Sequence, residues 1–147
     1  AAHSAGLGVI GLFMCGLPHT EPESVYRTVE HALQQEFDVA VFSLYRPPPG
    51  SPEYEELGWG PEDYIECFKK QREAVYIPEG WGSFREVEKV FRSAYRKFYL
   101  DPRFMKRAAK RAAADPVLAK NIFKGALTLA DQFRPSLSGL LGRGPQP

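Results

Sequence analysis

Two short apolar runs mark the first half of the chain. Residues 8–15 read GVIGLFMC and residues 39–44 read VAVFSL, without regular alternation of polar and apolar positions. Such runs are typical of strands in parallel sheets that are covered on both faces. Between them the sequence predicts a helix over residues 21–36, with one apolar face formed by Val25, Val29, Ala32 and Leu33. Strand, helix and strand with short joints predict a βαβ unit with a right-handed crossover.

Polar residues predict where two of the helices begin. Thr20 and Glu23 have the spacing of a capping box, in which side chain and backbone satisfy each other's free donors. Pro22 suits the first helical turn, where its missing N–H costs nothing. Ser83 and Glu86 repeat the capping-box spacing before the second half. We therefore expect helices to start at both places.

The second half of the chain predicts helices. An amphipathic helix of about four turns follows Ser83, with apolar positions at Phe84, Val87, Val90, Phe91, Ala94, Tyr95 and Phe98. Further helices are expected over residues 61–70, 103–113 and 115–133. Residues 45–60 read as a long loop, Ala74–Ile77 is compatible with a short edge strand, and residues 1–6 resemble a helix end. We therefore divide the chain into an α/β part over residues 1–82, a helical part over 83–134, and a disordered tail over 135–147.

Composition narrows the class of protein. A chain of 147 residues with 44% hydrophobic residues can bury one core and is not expected to be disordered throughout. Its longest apolar run is too short to span a bilayer, and the start AAHSAG lacks the basic residues of a signal peptide. We therefore expect a cytoplasmic location and no stable membrane insertion. Because the first residue is not Met, we expect a piece of something larger, or a processed or truncated chain.

Charge is distributed unevenly along the chain. The formal net charge is +1, yet residues 1–82 carry 13 acids and 5 bases, whereas residues 83–147 carry 5 acids and 14 bases. This asymmetry suggests either two halves docked on each other or a basic face for an anionic partner. The basic helices lack the aromatic residues of a recognised nucleic-acid module, so no nucleic-acid partner is expected.

The two cysteines do not form a metal or disulfide framework. Cys15 and Cys67 are far apart in the sequence and belong to no CxxC motif, which indicates reduced thiols. The chain alone therefore lacks the thiolates of an ordinary iron–sulfur cluster. Cys15 and His19 could form a thiolate–base pair, but a packed thiol is the simpler interpretation of both cysteines. Trp59 and Trp81 could line a substrate site or anchor their loops.

Four sequence elements in order resemble the second half of the radical S-adenosylmethionine (radical SAM) barrel. They are the "AG" before the first strand, the Gly16-Leu17-Pro18 turn, the loop from Pro48 to Tyr54, and the element AYRKFYLDP at Ala94 to Pro102. The last element is similar to that of the subgroup with a cobalamin-binding domain, such as the anaerobic magnesium-protoporphyrin ester cyclases. The resemblance covers about residues 1–107.

Three positions depart from the family's pattern. His19 stands where the family's turn has glycine, and Thr20 stands where it has glutamate. Asp101 replaces an arginine. The cluster-binding C-x3-C-x2-C motif of the barrel's first part does not occur in this sequence.

The resemblance implies a fold and a function. The fold is α/β: the last strands and helices of a partial (β/α) TIM-type barrel over residues 1–82, followed by the helical extension. In the family, a [4Fe–4S] cluster cleaves S-adenosylmethionine to a 5′-deoxyadenosyl radical that attacks a small-molecule substrate. Met14, Gly16 and Thr20 are the positions that the resemblance assigns to the S-adenosylmethionine site, and cobalamin is a further candidate cofactor. The chain alone is not expected to be active.

Two other hypotheses stay open at this point. The chain could be a non-enzymatic α/β interaction module whose basic helical arm binds an acidic partner or a membrane surface. It could also be one part of a split enzyme, in which a separate chain carries the cluster. For a barrel fragment, in contrast, two or three strands leave an open edge that a closed barrel would cover, so the isolated chain should depend on a partner or be poorly soluble.

Overall fold

A parallel pair of strands forms the centre of the fold. The computed structural model describes residues 7–69 and 73–114. Strand β1 (Ile10–Cys15) pairs with β2 (Val39–Leu44), and helix α1 (Pro22–Gln34) connects them. The register places Ile10 beside Val39 and Cys15 beside Leu44. The α/β class and the βαβ unit are therefore confirmed. The other helices are α2 (Pro52–Glu56), α3 (Pro61–Lys69), α4 (Phe84–Tyr99) and α5 (Pro102–Ala114).

The chain divides into two compact units, Ala1–Arg107 and Ala108–Pro147. Helix α4, which the sequence assigned to the helical part of the chain, packs on α1 and β2 within the first unit. The second unit is described only as far as Ala114. The helix end predicted at 1–6, the helix at 115–133 and the tail at 135–147 lie outside the described residues.

The core lies on one face of the sheet. Ala40, Phe42 and Leu44 of β2 are buried there, and the Phe42 ring contacts the rings of Tyr95 at 5.1 Å and Phe98 at 6.3 Å. The predicted apolar face of α1 is confirmed, because Val25, Val29, Ala32 and Leu33 are buried. The face predicted on α4 is buried at Val87, Val90, Phe91, Ala94, Tyr95 and Phe98, but the prediction is wrong at Phe84, which is exposed in the first turn of the helix. Burial of each large apolar side chain contributes about 1.5–3 kcal/mol.

The opposite face of the sheet is uncovered by the described residues. We call it the open face, and it consists of Ile10, Leu12, Met14, Val39, Val41 and Ser43. Leu12 is 78% exposed and Ile10 is 63% exposed. The expectation that both faces are buried is therefore wrong for the described part of the chain. The apolar composition of the strands suits two covered faces, but the described helices cover only one.

Two tyrosines of α4 occupy the outer edge of β2. The Tyr95 hydroxyl donates to the Phe42 carbonyl at 2.6 Å and accepts from the Phe42 amide at 3.0 Å. The Tyr99 hydroxyl does the same at Ala40, with distances of 2.9 and 3.2 Å. One helical turn on α4 therefore matches two residues along β2. We call these four bonds the tyrosine cap; they satisfy the groups that a further strand would otherwise bind.

The ends of the helices differ in how they are capped. The capping box predicted at Thr20 is wrong: α1 begins after Glu21, which makes no side-chain cap, and the Thr20 hydroxyl donates to the Leu17 carbonyl. The cap predicted at Ser83 is confirmed for its hydroxyl, which accepts from the Glu86 amide at 3.2 Å. The reciprocal bond of a capping box is shifted by one residue, because the Glu86 carboxylate accepts from the Gly82 amide at 2.6 Å.

Residues 74–77 form no strand in the structure. The Ala74 amide donates to the Glu88 carboxylate of α4 at 3.2 Å, so a side chain takes the place of a strand partner. The edge strand considered at Ala74–Ile77 is therefore wrong.

An ion-pair cluster joins the start of α5 to α1. Arg103 forms two parallel bonds to the Glu30 carboxylate, at 2.7 and 2.8 Å, and also contacts Asp101. The Arg103 guanidinium lowers the pKa of Glu30. Here a base from the second half of the sequence meets an acid from the first half. At this contact the uneven charge therefore reflects docking within the chain.

We predict that Tyr95→Phe destabilises the fold by about 2–3 kcal/mol, because the buried amide and carbonyl of Phe42 lose their partner. Tyr26→Phe is the matched control, since the ring beside Lys97 is retained and none of the capping bonds is touched. Its effect should stay below about 0.5 kcal/mol. Urea unfolding of the three proteins measures both values, and equal stabilities of all three would contradict the role of the cap.

The cap also predicts sensitivity to alkali. Burial raises the pKa of Tyr99 to about 12, whereas an unfolded tyrosine ionises near about 10. The contribution of Tyr99 to the free energy of unfolding is therefore fully present below about pH 10. It decreases by up to about 2 kcal/mol as the pH rises towards 12. Unfolding curves between pH 9 and 12 measure the loss. In Tyr99→Phe this part of the alkaline loss should be absent; an identical pH dependence in both proteins would contradict the assignment.

Candidate functional site

The candidate site lies at the carboxyl ends of β1 and β2. In open α/β sheets and barrels the loops at these ends bind ligands. Here residues 16–21 follow β1, residues 45–51 follow β2, and residues 73–83 lie against the first of these loops. The three predicted positions, Met14, Gly16 and Thr20, lie at the end of β1 and in the turn that follows it.

The turn after β1 contains two residues in the left-handed region. Gly16 has φ +75° and His19 has φ +55°. Glycine adopts this conformation without the steric cost that a side chain brings. His19 is the position at which the radical SAM family has glycine. His19 therefore adopts a backbone conformation that glycine adopts more readily.

Another segment of the same chain packs on this turn. The Trp81 indole donates to the Thr20 carbonyl, and Trp81 is buried. A Cβ on Gly16 would meet Val87 at 3.3 Å and Pro78 at 3.7 Å. A side chain at this position would therefore crowd Val87 and would also carry the strain of the left-handed backbone. The structure also confirms that Trp81 anchors its loop.

Met14 lies on the other side of the sheet. Its side chain belongs to the open face, near the carboxyl end of β1, and is 48% exposed. The space beside Gly16 leads to α4, whereas the Thr20 hydroxyl is bonded within its own turn. The structure therefore does not bring the three predicted side chains to one point: Met14 faces the open side, and Gly16 and Thr20 shape the turn.

Ser43 is a candidate that the sequence analysis missed. The register pairs it with Met14, on the same face and at the same end of the sheet. Its hydroxyl donates to the Phe13 carbonyl at 3.3 Å. The sequence did mark Ser43, because it is the single polar residue in VAVFSL. Its position beside Met14 becomes visible only from the strand register. Met14 and Ser43 together give the open face an apolar surface with one hydroxyl at the carboxyl ends of the strands.

The loop after β2 has a local structural explanation. The Ser51 amide donates to the Pro48 carbonyl at 3.0 Å, and Gly50 has φ +86°, which is the pattern of a type II turn with proline and glycine at its centre. The Ser51 hydroxyl then caps α2 by accepting from the Tyr54 amide at 3.2 Å. Pro49 and Gly50 therefore form the turn, and Ser51 caps the helix that follows.

The thiols and imidazoles are not arranged for catalysis or for cluster binding. Cys15 is buried on the core side, and burial raises the pKa of its thiol to about 12, so it is protonated. The buried Cys67 donates its thiol proton to the Tyr64 carbonyl. The His19 side chain is 84% exposed and 3.4 Å from Glu79, away from the buried Cys15. These residues do not fit an iron–sulfur cluster, and no metal-binding group of three or more side chains occurs among the described residues.

The basic residues of α5 are partly used inside the first unit. Arg103 is bonded to Glu30 and Asp101, and Arg107 donates to the Phe37 carbonyl at 3.0 Å. Lys106 and Lys110 are exposed. Lys106 and Lys110 are therefore the exposed lysines with which α5 could bind an anionic surface. Over the residues that the structure describes, no helix is both long and apolar enough to cross a membrane.

Comparison of the chain with protein-family models, with curated proteins and with solved structures gave no match. The functional interpretation therefore depends on the residues and on the geometry described above.

We predict that His19→Gly stabilises the protein by roughly 0.5–1 kcal/mol. The substitution removes the strain of a side chain in the left-handed region, which costs about 1–2 kcal/mol. About half of this gain is lost again, because glycine has more conformational freedom in the unfolded chain. His19→Val should destabilise the protein, since a branched side chain suits this conformation poorly. Glu79→Gln is the control for the exposed pair with His19 and should change little. Thermal unfolding of the variants measures the order, and His19→Val above His19→Gly would contradict it.

Proposed function

We propose that this chain is the C-terminal part of a radical SAM enzyme and supplies the last two strands of an incomplete (β/α) barrel. In the complete enzyme these strands would form one wall of the chamber in which S-adenosylmethionine is cleaved. The cluster ligands belong to the preceding part of the barrel or to a separate chain. The chain alone would then be inactive.

The observation that carries the proposal is the one-sided arrangement of the sheet. Both α1 and α4 pack on the same face, and the other face is apolar and exposed. Successive right-handed βαβ units that progress in one direction place all their helices on one side. In a barrel that side is the outside, and the inner face is filled by side chains from the other strands. The open face has the composition expected of such an inner face.

The residues that contact the ligand would lie at one end of this face. Met14 lies at the carboxyl end of β1, where barrel sites are built, and its thioether suits the flat apolar surface of adenine. Gly16 and Thr20 would act through the backbone of the turn that Trp81 and Pro78 hold in place. S-adenosylmethionine, when bound with the cluster, supplies the radical; this chain's residues only bind and orient.

The resemblance extends the proposal to partners and location. A barrel half with the C-x3-C-x2-C motif is the required partner, and a small molecule is the substrate. Cobalamin is a candidate second cofactor, because the element Ala94 to Pro102 is similar to that of the cobalamin-associated subgroup. A cytoplasmic location follows from oxygen-sensitive iron–sulfur chemistry in a reducing compartment and from the two free thiols.

The test is reconstitution with the polypeptide encoded upstream of Ala1. The two parts are expressed together, purified without oxygen and loaded with iron and sulfide. We expect bound iron in the ratio of one four-iron cluster per complex, and binding of S-adenosylmethionine by equilibrium dialysis. If the upstream polypeptide lacks the cysteine motif, the product of the neighbouring open reading frame is tested in the same way. Absence of the motif and of bound iron from both would contradict the proposal.

Within that complex, we predict that Met14→Ala weakens S-adenosylmethionine binding by about tenfold, which corresponds to about 1.4 kcal/mol of lost contact. Val39→Ala is the matched control, because Val39 lies on the same face at the opposite end of the strands. Val39→Ala should change the dissociation constant for S-adenosylmethionine by no more than about twofold relative to the wild type. Equal effects of the two variants would place the ligand elsewhere.

A further inference from the structure

Aromatic rings from α2, from α3 and from the joint between them form a cluster. The Tyr54 ring lies 6.1 Å from the Trp59 ring and 6.0 Å from the Tyr64 ring, measured between centroids. The ring planes are nearly perpendicular, at 86° and 72°. Perpendicular rings at this spacing leave room for one cation within about 6 Å of both centroids. Trp59 and Tyr64 are only partly buried, so the cluster reaches the surface. We call these three residues the aromatic corner.

The segment that carries these rings is acidic. Residues 52–66 contain six carboxylates and no lysine or arginine. Two of the carboxylates act on Tyr54, because burial and then the negative charges of Glu55 and Asp63 raise the pKa of its hydroxyl. Among the residues that the structure describes, neither carboxylate forms an ion pair, and Asp63 accepts from the Gly60 amide at 2.8 Å. The charge beside the aromatic corner is therefore negative, and no described base neutralises it.

The Tyr54 hydroxyl has no hydrogen-bond partner within residues 7–69 and 73–114. Tyr54 is only 7% exposed, and its bond to Ser51 uses the backbone amide. Buried tyrosine hydroxyls usually bind a donor or an acceptor. A group that carries positive charge and donates N–H bonds would satisfy the hydroxyl and the two carboxylates together.

The same row of rings already binds a cation of this chain at its other end. The Arg46 guanidinium lies 5.8 Å from the centroid of the Phe68 ring, and that ring lies 5.0 Å from the Tyr64 ring. In the described part of the chain, the other contacts between a cation and a ring are on α1 and α5. The aromatic corner therefore has the rings and the charge for a cation, but no described residue of the chain supplies one.

We propose that the aromatic corner and the carboxylates of Glu55 and Asp63 bind an organic ammonium group, and we call these five residues the ammonium site. Rings attract a cation through their faces but offer no lone pair for coordination, so they suit an alkylammonium ion better than a metal ion. The described residues also contain no metal-binding group of three or more side chains. A lysine side chain of a polypeptide and a small amine present the same chemistry to this site. The inference does not depend on the proposed function, because it uses none of the residues assigned to S-adenosylmethionine.

The test is a titration of the 147-residue chain, followed by NMR, in which methylammonium chloride replaces sodium chloride at constant ionic strength. The indole N–H of Trp59 reports on the ammonium site. The indole N–H of Trp81, which donates to the Thr20 carbonyl, is the internal control. We expect the Trp59 signal to shift and to saturate in the millimolar range, whereas the Trp81 signal stays in place. An unmoved Trp59 signal, or equal shifts of both signals, overturns the inference.

Two glutamates of the same segment distinguish a defined site from a generally acidic surface. Glu55→Gln removes a charge that acts on Tyr54, whereas Glu62→Gln removes an equally exposed class of charge from the first turn of α3. We expect Glu55→Gln to weaken methylammonium binding about fivefold, and Glu62→Gln to change it by less than about twofold. Both side chains are exposed, so both variants should keep the fold, which circular dichroism checks. Equal effects of the two variants overturn the site.

Tyr54→Phe tests the hydroxyl, because it keeps the ring. Methylammonium donates N–H bonds and tetramethylammonium does not. We therefore expect Tyr54→Phe to weaken methylammonium binding about threefold more than tetramethylammonium binding. Equal weakening of both ions overturns the part assigned to the hydroxyl.

A short peptide with blocked ends and one central lysine identifies the source of the ammonium group. Binding of this peptide more than about tenfold tighter than methylammonium supports the site and assigns it to a polypeptide. Equal affinities of the peptide and methylammonium support the site and assign it to a small amine. Equally tight binding of the same peptide with an acetylated lysine overturns the inference, because the acetylated side chain carries no charge.

Discussion

The rest of the fold depends on four hydrogen bonds between two tyrosine hydroxyls and the edge of β2. Each hydroxyl both donates and accepts, so Tyr95 and Tyr99 replace the contacts of a missing strand at Phe42 and Ala40. The same helix packs Phe98 against Phe42 and buries Val87 beside Gly16. A buried backbone group without a partner costs about 1–3 kcal/mol, so α4 can leave this edge only at considerable cost. Among the described residues, the cap therefore ends the sheet at β2 and holds α4 on the face that α1 also covers.

This arrangement also gives physical reasons for the sequence elements that resemble radical SAM proteins. In the element AYRKFYLDP, Ala94 and Phe98 are fully buried and Tyr95 and Tyr99 form the cap. Asp101, which replaces the family's arginine, accepts from the Arg103 amide at 2.8 Å and so caps the start of α5. Several of these residues are thus explained by the fold alone.

Periodicity predicted the secondary structure well where a single helix face or an apolar run was involved. The βαβ unit, α4 and the Ser83 cap are confirmed because each depends on residues close in sequence. The predicted cap at Thr20 failed because its hydroxyl found a nearer acceptor, the Leu17 carbonyl. The tyrosine cap joins residues more than fifty positions apart, and an apolar helix face gives no sign of which hydroxyls will meet a strand edge. The partner of Met14 was missed for the same reason, because Ser43 becomes its neighbour only through the register.

Hydrogen exchange of the isolated chain, measured amide by amide, tests the central claim most directly. Over residues 7–69 and 73–114 the sheet has two strands, each with one outer edge, and two edges without special protection would exchange alike. We predict slow exchange at Ala40 and Phe42, whose amides donate to tyrosine hydroxyls, and rapid exchange at Ile10, Leu12 and Met14. Equal protection of the two sets, or greater protection of the β1 amides in the monomeric chain, would contradict the view that this sheet is closed at β2 and open at β1.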